Sequence, residues 1–349
     1  MERKPDFSWQ DSPVFVGNLA ETLGPWLKGQ SYSQVLVLTD THTHVHCLPR
    51  LQNLLPYPFH TIQITAGEQH KNLETCTLIW QQMLLHKLDR KSLLINLGGG
   101  VIGDMGGFCA ATWKRGIDFI QVPTTLLSMT DAAIGGKTGI DFQGIKNTIG
   151  VFQAPAAVFA DPAFLHTLSD RELKSGLAEV LKHGFIGDPK LLDSFANLHP
   201  AALRTLPWNQ LLTQSIAVKV RVVTEDPKEK GLRMLLNYGH SIGHAIESYF
   251  LGTDSPLTHG EAIAIGMICE TPPPHQTRVA QILEPFFPKI TIRKEAMPTL
   301  WQLMLQDKKN SSGAVRLAIP DELPYTMQVL SITEQDLSEM LLQYTNASY

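Results

Sequence analysis

Two groups of residues have types and spacings that can do chemistry. The first lies between Leu93 and Asn147 (LLINLGGGVIGDMGGFCAATWKRGIDFIQVPTTLLSMTDAAIGGKTGIDFQGIKN), where glycine, threonine and well-spaced charges concentrate. Gly98, Gly99 and Gly100 follow directly on an apolar run, and residues without a Cβ let backbone approach a ligand closely. Successive N–H groups in such a turn, ahead of a helix start, form a cradle for phosphate. Asp104 stands where the turn becomes a helix, placed to accept from a sugar hydroxyl or an amide. A second run, Asp118 to Val122, ends at Pro123, Thr124 and Thr125, whose hydroxyls face the same sheet edge. Two polar strand ends side by side make a cofactor crevice. The bland alternative is a tight βα corner that holds nothing. Gly136-Lys137-Thr138 looks like the end of a triphosphate-binding loop, but that motif needs glycine where Asp131 stands.

The second group lies in the C-terminal half. His240 and His244 are four apart, so both can face one way on a helix. His259 follows in HGEAIAIG, and Glu179 lies in ELKSGLAEVLKHG with Lys182 and His183 one turn on. Two imidazoles and one carboxylate make a catalytic zinc set with open positions for a substrate hydroxyl. The competing reading is that each histidine caps or fills a helix interface, and spacing does not choose between His244 and His259.

These residues need elements to hold them. Gln34–Leu38 reads as a strand ending in Thr39-Asp40, where an Asp suits a ribose diol or caps the next helix. THTHVH then places His42, His44 and His46 at alternate positions; the segment reads as a loop or helix start, and we take it as a solvated loop rather than a metal site. Phe59–Ile64 reads as a strand, followed by Gly67, Glu68 and Lys71. Ser92–Leu97 and Asp118–Val122 are two more. An amphipathic helix is predicted over Leu73–Lys87, with Leu73, Thr77, Trp80, Leu84 and Leu88 on one side. Alternating strands and helices up to about residue 165 imply a parallel sheet with helices on both faces. Beyond Phe164 helices dominate: Asp170–Gly184, Lys190–Asn197, Trp208–Thr224, Gly239–Phe250 and Gly260–Cys269, with a late strand at Val315–Ile319. Asp161-Pro162 is the expected hinge, giving domains over residues 1–165 and 166–349.

Composition bounds the function. The chain has 349 residues, enough for about two domains. A hydrophobic share of 43%, a charged share of 18% and a net charge of −4 describe a globular protein without a footprint for nucleic acid or an anionic membrane. Any anionic substrate must be met by a local cluster of cations. Four scattered cysteines without a CxxC pair argue for a reducing compartment and against a thiolate metal site. The polar start MERKPDFSWQ lacks the apolar core of a signal peptide, so the expected location is the cytoplasm.

Collinear from about Glu68 to Glu270, the sequence resembles the 3-dehydroquinate synthase family of sugar-phosphate cyclases. The resemblance rests on GGGVIGD, ATWKRGIDFIQVPTTLL, GGKTGI with GIKN, GLAEVLKHG, GLRMLLNYGHSIGHAIE and HGEAIAIGM, with a weaker echo at DKKN. It implies an α/β N-terminal Rossmann-like domain with a parallel sheet, then a mainly α-helical domain. It implies that Glu179, His240 and His259 hold zinc, with cobalt as an alternative, and that His244 is a polar neighbour of the substrate. For NAD it implies Asp40, Glu68, Lys71, Gly98, Gly99, Gly100, Val101, Asp104, Thr124 and Thr125, joined by Asp131, Lys137 and Lys146. For substrate it implies Asp131, Lys137, Lys146, Asn147, Lys182, Lys219, Arg233, Asn237 and His244, with Lys308 favoured over Lys309 from DKKN. By the same resemblance, Arg115 looks like the arginine that family members lend to a neighbouring subunit, which implies a homodimer. Three departures stand out: His42 replaces an asparagine usual in the family, the segment after Glu270 is proline-rich and short, and several residues at the extreme N-terminus match nothing in particular.

The implied reaction converts 3-deoxy-D-arabino-heptulosonate 7-phosphate to 3-dehydroquinate and phosphate. It proceeds by transient oxidation with NAD, β-elimination of phosphate, re-reduction and intramolecular aldol closure, making the enzyme a lyase of the shikimate pathway. Transient oxidation is needed because a hydrogen beside a carbinol is too weakly acidic to remove. The alternatives are a valiolone or scyllo-inosose cyclase, a metal-dependent polyol dehydrogenase, or a non-catalytic relative. Lys219, Arg233 and Asn237 keep the dehydroquinate pattern.

Overall fold

Short apolar runs closed by polar or glycine-containing turns build the first sheet. In the computed structural model, which describes residues 3–143, 145–306, 315–322 and 324–347, Leu93–Gly98 is buried at every position. That is the pattern of a strand covered on both faces. The strand order is Phe7–Trp9, Ser12–Val16, Ala157–Ala160, Asp118–Pro123, Leu93–Gly98, Val35–Asp40 and Phe59–Ile64. All neighbours run parallel except the first two, which form an N-terminal hairpin. Asp118–Pro123 and Leu93–Gly98 are adjacent, with Gly98 opposite Pro123, so the glycine turn and Thr124 leave the sheet side by side as expected.

The chain sorts into two compact units. One comprises residues 1–169 and 207–220; the other comprises 170–206 and 221–349. The helix Trp208–Glu225 therefore contributes to both. In the second unit the predicted helices appear as Asp170–Ile186, His240–Leu251 and His259–Glu270, and the late strand Val315–Pro320 pairs antiparallel with Met327–Ile332. Its core includes Leu177, Leu181, Ile242, Ile246 and Ile263. Among the described residues, no helix is long and apolar enough to cross a membrane.

Four local expectations change. THTHVH is a short helix, Thr41–His46, capped by Asp40, so alternate histidines do not share a face. The helix Leu73–Leu85 buries Thr75, Cys76, Ile79 and Met83; of the stripe read from the sequence, Leu88 and Trp80 join or pack on that core, while Leu73 and Leu84 are 46% and 69% exposed. Leucines on both sides made the pattern ambiguous, and the sheet residues Ile62 and Ile64 with Phe108 selected the face. The helix expected over Lys190–Asn197 is only Pro189–Asp193, opened by the Asp188 cap. Lys137–Phe142 and Ile145–Phe152 form an antiparallel hairpin that sequence reading did not anticipate.

Candidate active site

In the first unit, the helix Gly100–Thr112 starts on Gly99, which supplies no side-chain cap to its first turn. The first N–H groups of a helix have no intrahelical partner, and the N-cap residue has no side chain to accept from them. Gly98, Gly99, Gly100, Gly103, Gln121 and Pro123 line a cavity beside this turn. A Cβ on Gly99 would come within 3.2 Å of Thr125 Cγ2, narrowing the crevice. Bare N–H groups, a helix N-terminus and open backbone fit a dinucleotide pyrophosphate. Thr124 N–H donates to the Gly98 carbonyl at 3.0 Å, which ties the two strand ends together. Thr125 Oγ1 donates to Ser128 Oγ at 2.8 Å.

Around this crevice the charged residues are paired. Lys71 Nζ donates to Asp104 Oδ2 and to Asn147 Oδ1, each at 2.6 Å, and stands 3.9 Å from Glu68. Burial opposes the Lys71 charge, but Asp104 and Glu68 outweigh it and raise its pKa. Burial also lifts the Asp104 pKa against the pull of Lys71; at 2.6 Å we take the pair as ionised. Asn147 lies in the hairpin with φ +52°, its N–H held by Asp141 Oδ1 at 2.7 Å. Lys219 pairs with Asp131. Asp40 Oδ1 takes the N–H groups of His42 and Thr43 at 2.9 and 2.8 Å, so Asp40 caps a helix whatever else it binds. Val101 is in the first turn of the helix at Gly100, while Lys137 and Lys146 are exposed on the hairpin strands. Arg115 is exposed on the turn Trp113–Arg115, with φ +71°. It follows a helix of 13 residues, about 20 Å long at 1.5 Å per residue, so the structure does not bring it to the glycine turn of its own chain.

In the second unit the histidines converge on a buried carboxylate. Glu179 is 0% exposed in the middle of Asp170–Ile186. Its Oε1 lies 3.5 Å from His240 Nε2 and 3.6 Å from His259 Nε2. The nitrogens of His240, His244 and His259 also lie within 4.8 Å of one another. Each inner histidine is oriented from behind. His240 Nδ1 lies 3.2 Å from the Tyr238 carbonyl, which can only accept, so Nδ1 carries a proton and Nε2 is the nitrogen turned inward. His259 Nδ1 meets Glu247 Oε2 at 3.1 Å. Burial disfavours the His259 charge, yet Glu179 and Glu247 raise its pKa to about 9. A site that prefers positive charge, with two imidazoles and a carboxylate aimed inward, fits a divalent cation.

Buried cations complete this half. Lys182, fully buried, pairs with Glu179 and donates to the Leu236 carbonyl at 2.7 Å. Arg233, 2% exposed, donates to the Pro227 carbonyl at 2.8 Å. Its loop is held by Asp226 Oδ2, which accepts from Gly231 and Arg233 N–H at 2.7 and 3.1 Å. Asn237 Nδ2 donates to Glu229 Oε1 at 2.7 Å. The start of the His259 helix is held by a Thr258–Glu261 capping box and by Arg171, which grips Glu261 at 2.8 Å. Lys308 and Lys309 lie outside the described residues. Sequence reading missed Glu229 and Glu247; the signal for Glu247 was its place one turn beyond His244 in GHAIE.

Comparison with known proteins gives the family and the fold of the chain. Residues 61–175 match the 3-dehydroquinate synthase N-terminal domain and residues 176–310 the 3-dehydroquinate synthase C-terminal domain. A 3-dehydroquinate synthase from Parabacteroides distasonis is 37% identical over 341 residues, covering 94% of this chain and 96% of that protein. In fold, the chain is similar to 2-epi-5-epi-valiolone synthase from Streptomyces hygroscopicus subsp. jinggangensis, solved with NAD+ and Zn2+ (TM-score 0.82, 24% identity, 99% and 98% covered). It is likewise similar to 2-deoxy-scyllo-inosose synthase complexed with carbaglucose-6-phosphate, NAD+ and Co2+ (TM-score 0.79, 24% identity, 94% and 95% covered). With both domain profiles matched in order and a relative above a third identical along nearly the whole chain, this protein belongs to the 3-dehydroquinate synthase family.

Proposed function

We infer that the protein is a lyase that converts 3-deoxy-D-arabino-heptulosonate 7-phosphate to 3-dehydroquinate and phosphate. The observation that carries this reading is the contrast in relatedness. Identity is 37% to a 3-dehydroquinate synthase but 24% to the inosose and valiolone cyclases that share the fold.

NAD, when bound, supplies a hydride acceptor that is restored each turnover, and a divalent ion, zinc or cobalt, supplies a Lewis acid at the substrate hydroxyls. The N–H groups at Gly99–Val101 hold the pyrophosphate, with Thr124 and Thr125 at the second strand end. Asp40, through the oxygen it does not spend on its cap, and Glu68 are assigned to the nucleotide. Lys71 holds Asp104 and Asn147 in place for cofactor and substrate. Glu179, His240 and His259 are the metal ligands, and His244 is a substrate neighbour. Asp131 orients Lys219.

The substrate carries a carboxylate and a phosphate, and the protein is acidic overall. Lys137, Lys146, Lys182, Lys219 and Arg233 supply the local cations, and Asn237 a neutral donor. Holding both reacting ends in one site favours the final ring closure. Arg115, a helix length away from its own chain's glycine turn, serves a partner subunit in a homodimer. Four buried free cysteines support a reducing location, the cytoplasm.

The test is a phosphate-release assay with the heptulosonate phosphate, catalytic NAD and zinc, run against a panel of sugar phosphates. Phosphate is expected from the heptulosonate without NADH build-up. Stoichiometric NADH would make the protein a dehydrogenase, and preference for a substrate lacking the carboxylate would make it another cyclase.

A further inference from the structure

The helix that begins at His259 ends at Glu270, and the Glu270 side chain reaches back to the helix that begins at His240. One carboxylate oxygen accepts the Gly239 N–H at 2.7 Å and the other accepts the Ile242 N–H at 3.0 Å. Glu270 is 1% exposed. Burying a carboxylate is costly unless donors and favourable charge meet it. The start of a helix supplies both, through unpaired N–H groups and the positive end of the dipole. Gly239, the N-cap with φ +79°, has no side chain to cap with, so Glu270 does so from the neighbouring helix.

The same junction has no slack. A Cβ on Gly266 would fall 1.9 Å from the Gly239 carbonyl oxygen, so the two helices touch backbone to backbone. Tyr238 is gripped on its other side: its hydroxyl bonds Thr271 and donates to the Met267 carbonyl at 3.1 Å. The Tyr238 carbonyl in turn faces His240 Nδ1. A continuous path therefore runs from Glu270 through Gly239 and the Tyr238 carbonyl to the His240 ring, whose Nε2 is turned to Glu179.

We propose that Glu270 is a positioning residue that locks the His240 ring relative to His259 and so sets the affinity of the metal site. It binds neither metal nor substrate, and the proposal rests on the reading of Glu179, His240 and His259 as ligands. In Glu270→Gln an amide NH2 must confront one of two N–H donors, which loosens the grip while keeping side-chain size.

The experiment strips the full-length protein with a chelator and titrates zinc against a chromophoric competitor. Wild type is expected to take one ion per chain; no binding would overturn both the ligand assignment and this proposal. Glu270→Gln is expected to raise the zinc Kd about tenfold or more, within the range found when an outer partner of a ligand is lost. The gap in Tm between loaded and metal-free protein should narrow with it. An unchanged Kd beside a normally binding wild type, with both Tm values lowered alike, would overturn the Glu270 role alone. Should the variant not fold, amide exchange on metal-free wild type decides. Slow exchange at Gly239 and Ile242 supports a cap formed before the metal arrives, and fast exchange at both overturns it.

Discussion

The Lys71 ammonium lies 2.6 Å from Asp104 Oδ2, joining the turn before one helix to the first turns of the next. Removing one partner of a fully buried ion pair costs about 3–5 kcal/mol. Asp104 keeps 20% of its side chain exposed, so Lys71→Met should cost less, about 2 kcal/mol. NAD affinity should fall as well, because Asn147 loses the same donor. Urea unfolding and a fluorescence titration with NAD check the two effects.

Glu247 orients His259 without touching its inner nitrogen. Glu247→Gln should weaken metal binding by about 10–100-fold, while His240→Ala should lose the metal and nearly all turnover. Metal analysis after dialysis, paired with phosphate release, measures both. Full activity in a metal-free His240→Ala sample would contradict the ligand assignment.

Lys219→Glu would set a second carboxylate against Asp131 where the pair now holds a cation. The expected loss in kcat/KM for the carboxylated substrate is at least about a hundredfold, or ~2.7 kcal/mol. Unchanged steady-state kinetics would remove Lys219 from the substrate-binding set.

Gly106 packs over Asn96: a Cβ there would lie 1.9 Å from Asn96 Oδ1. Asn96 is buried, and among the described residues neither of its side-chain polar atoms finds a partner. Gly106→Ala should therefore destabilise by about 1–3 kcal/mol, the usual range for overpacking. Adding Asn96→Ala should restore more than half, because it removes both the clash and an unsatisfied amide. Strict additivity in a thermal-unfolding cycle would show the contact to be irrelevant.

Asp226 gives a pH signature. Burial alone would raise its pKa, but the N–H groups of Lys230, Gly231 and Arg233 outweigh that and hold it below the ordinary carboxylate range. A depressed folded pKa means the stabilisation is complete above the unfolded value, near 3.9, and is lost as pH falls through the lower folded value. Asp226→Asn should therefore be less stable than wild type at pH 7, and the gap should close toward pH values below about 3.9. Its KM should rise at neutral pH, because the loop carrying Arg233 is released. A gap that stays constant with pH would assign the effect to something other than the carboxylate.

Much of the first sheet was legible because a strand covered on both faces leaves an apolar run bounded by turns, as at Leu93–Gly98 and Asp118–Pro123. The helices bearing Glu179, His240 and His259 were legible too, and family resemblance supplied which histidine to choose. Periodicity reports only how one element is buried, so it fails when both faces are apolar, as along Leu73–Leu85, where the core made the choice. It is also blind to pairing between elements, which hid the hairpin carrying Lys137 and Lys146. Only the tertiary structure put Glu179 Oε1 within 3.6 Å of two imidazoles and turned their inner nitrogens toward it. The orienting groups, the Tyr238 carbonyl and Glu247, act through space on atoms whose positions depend on how three helices pack, and no local pattern in the chain records that.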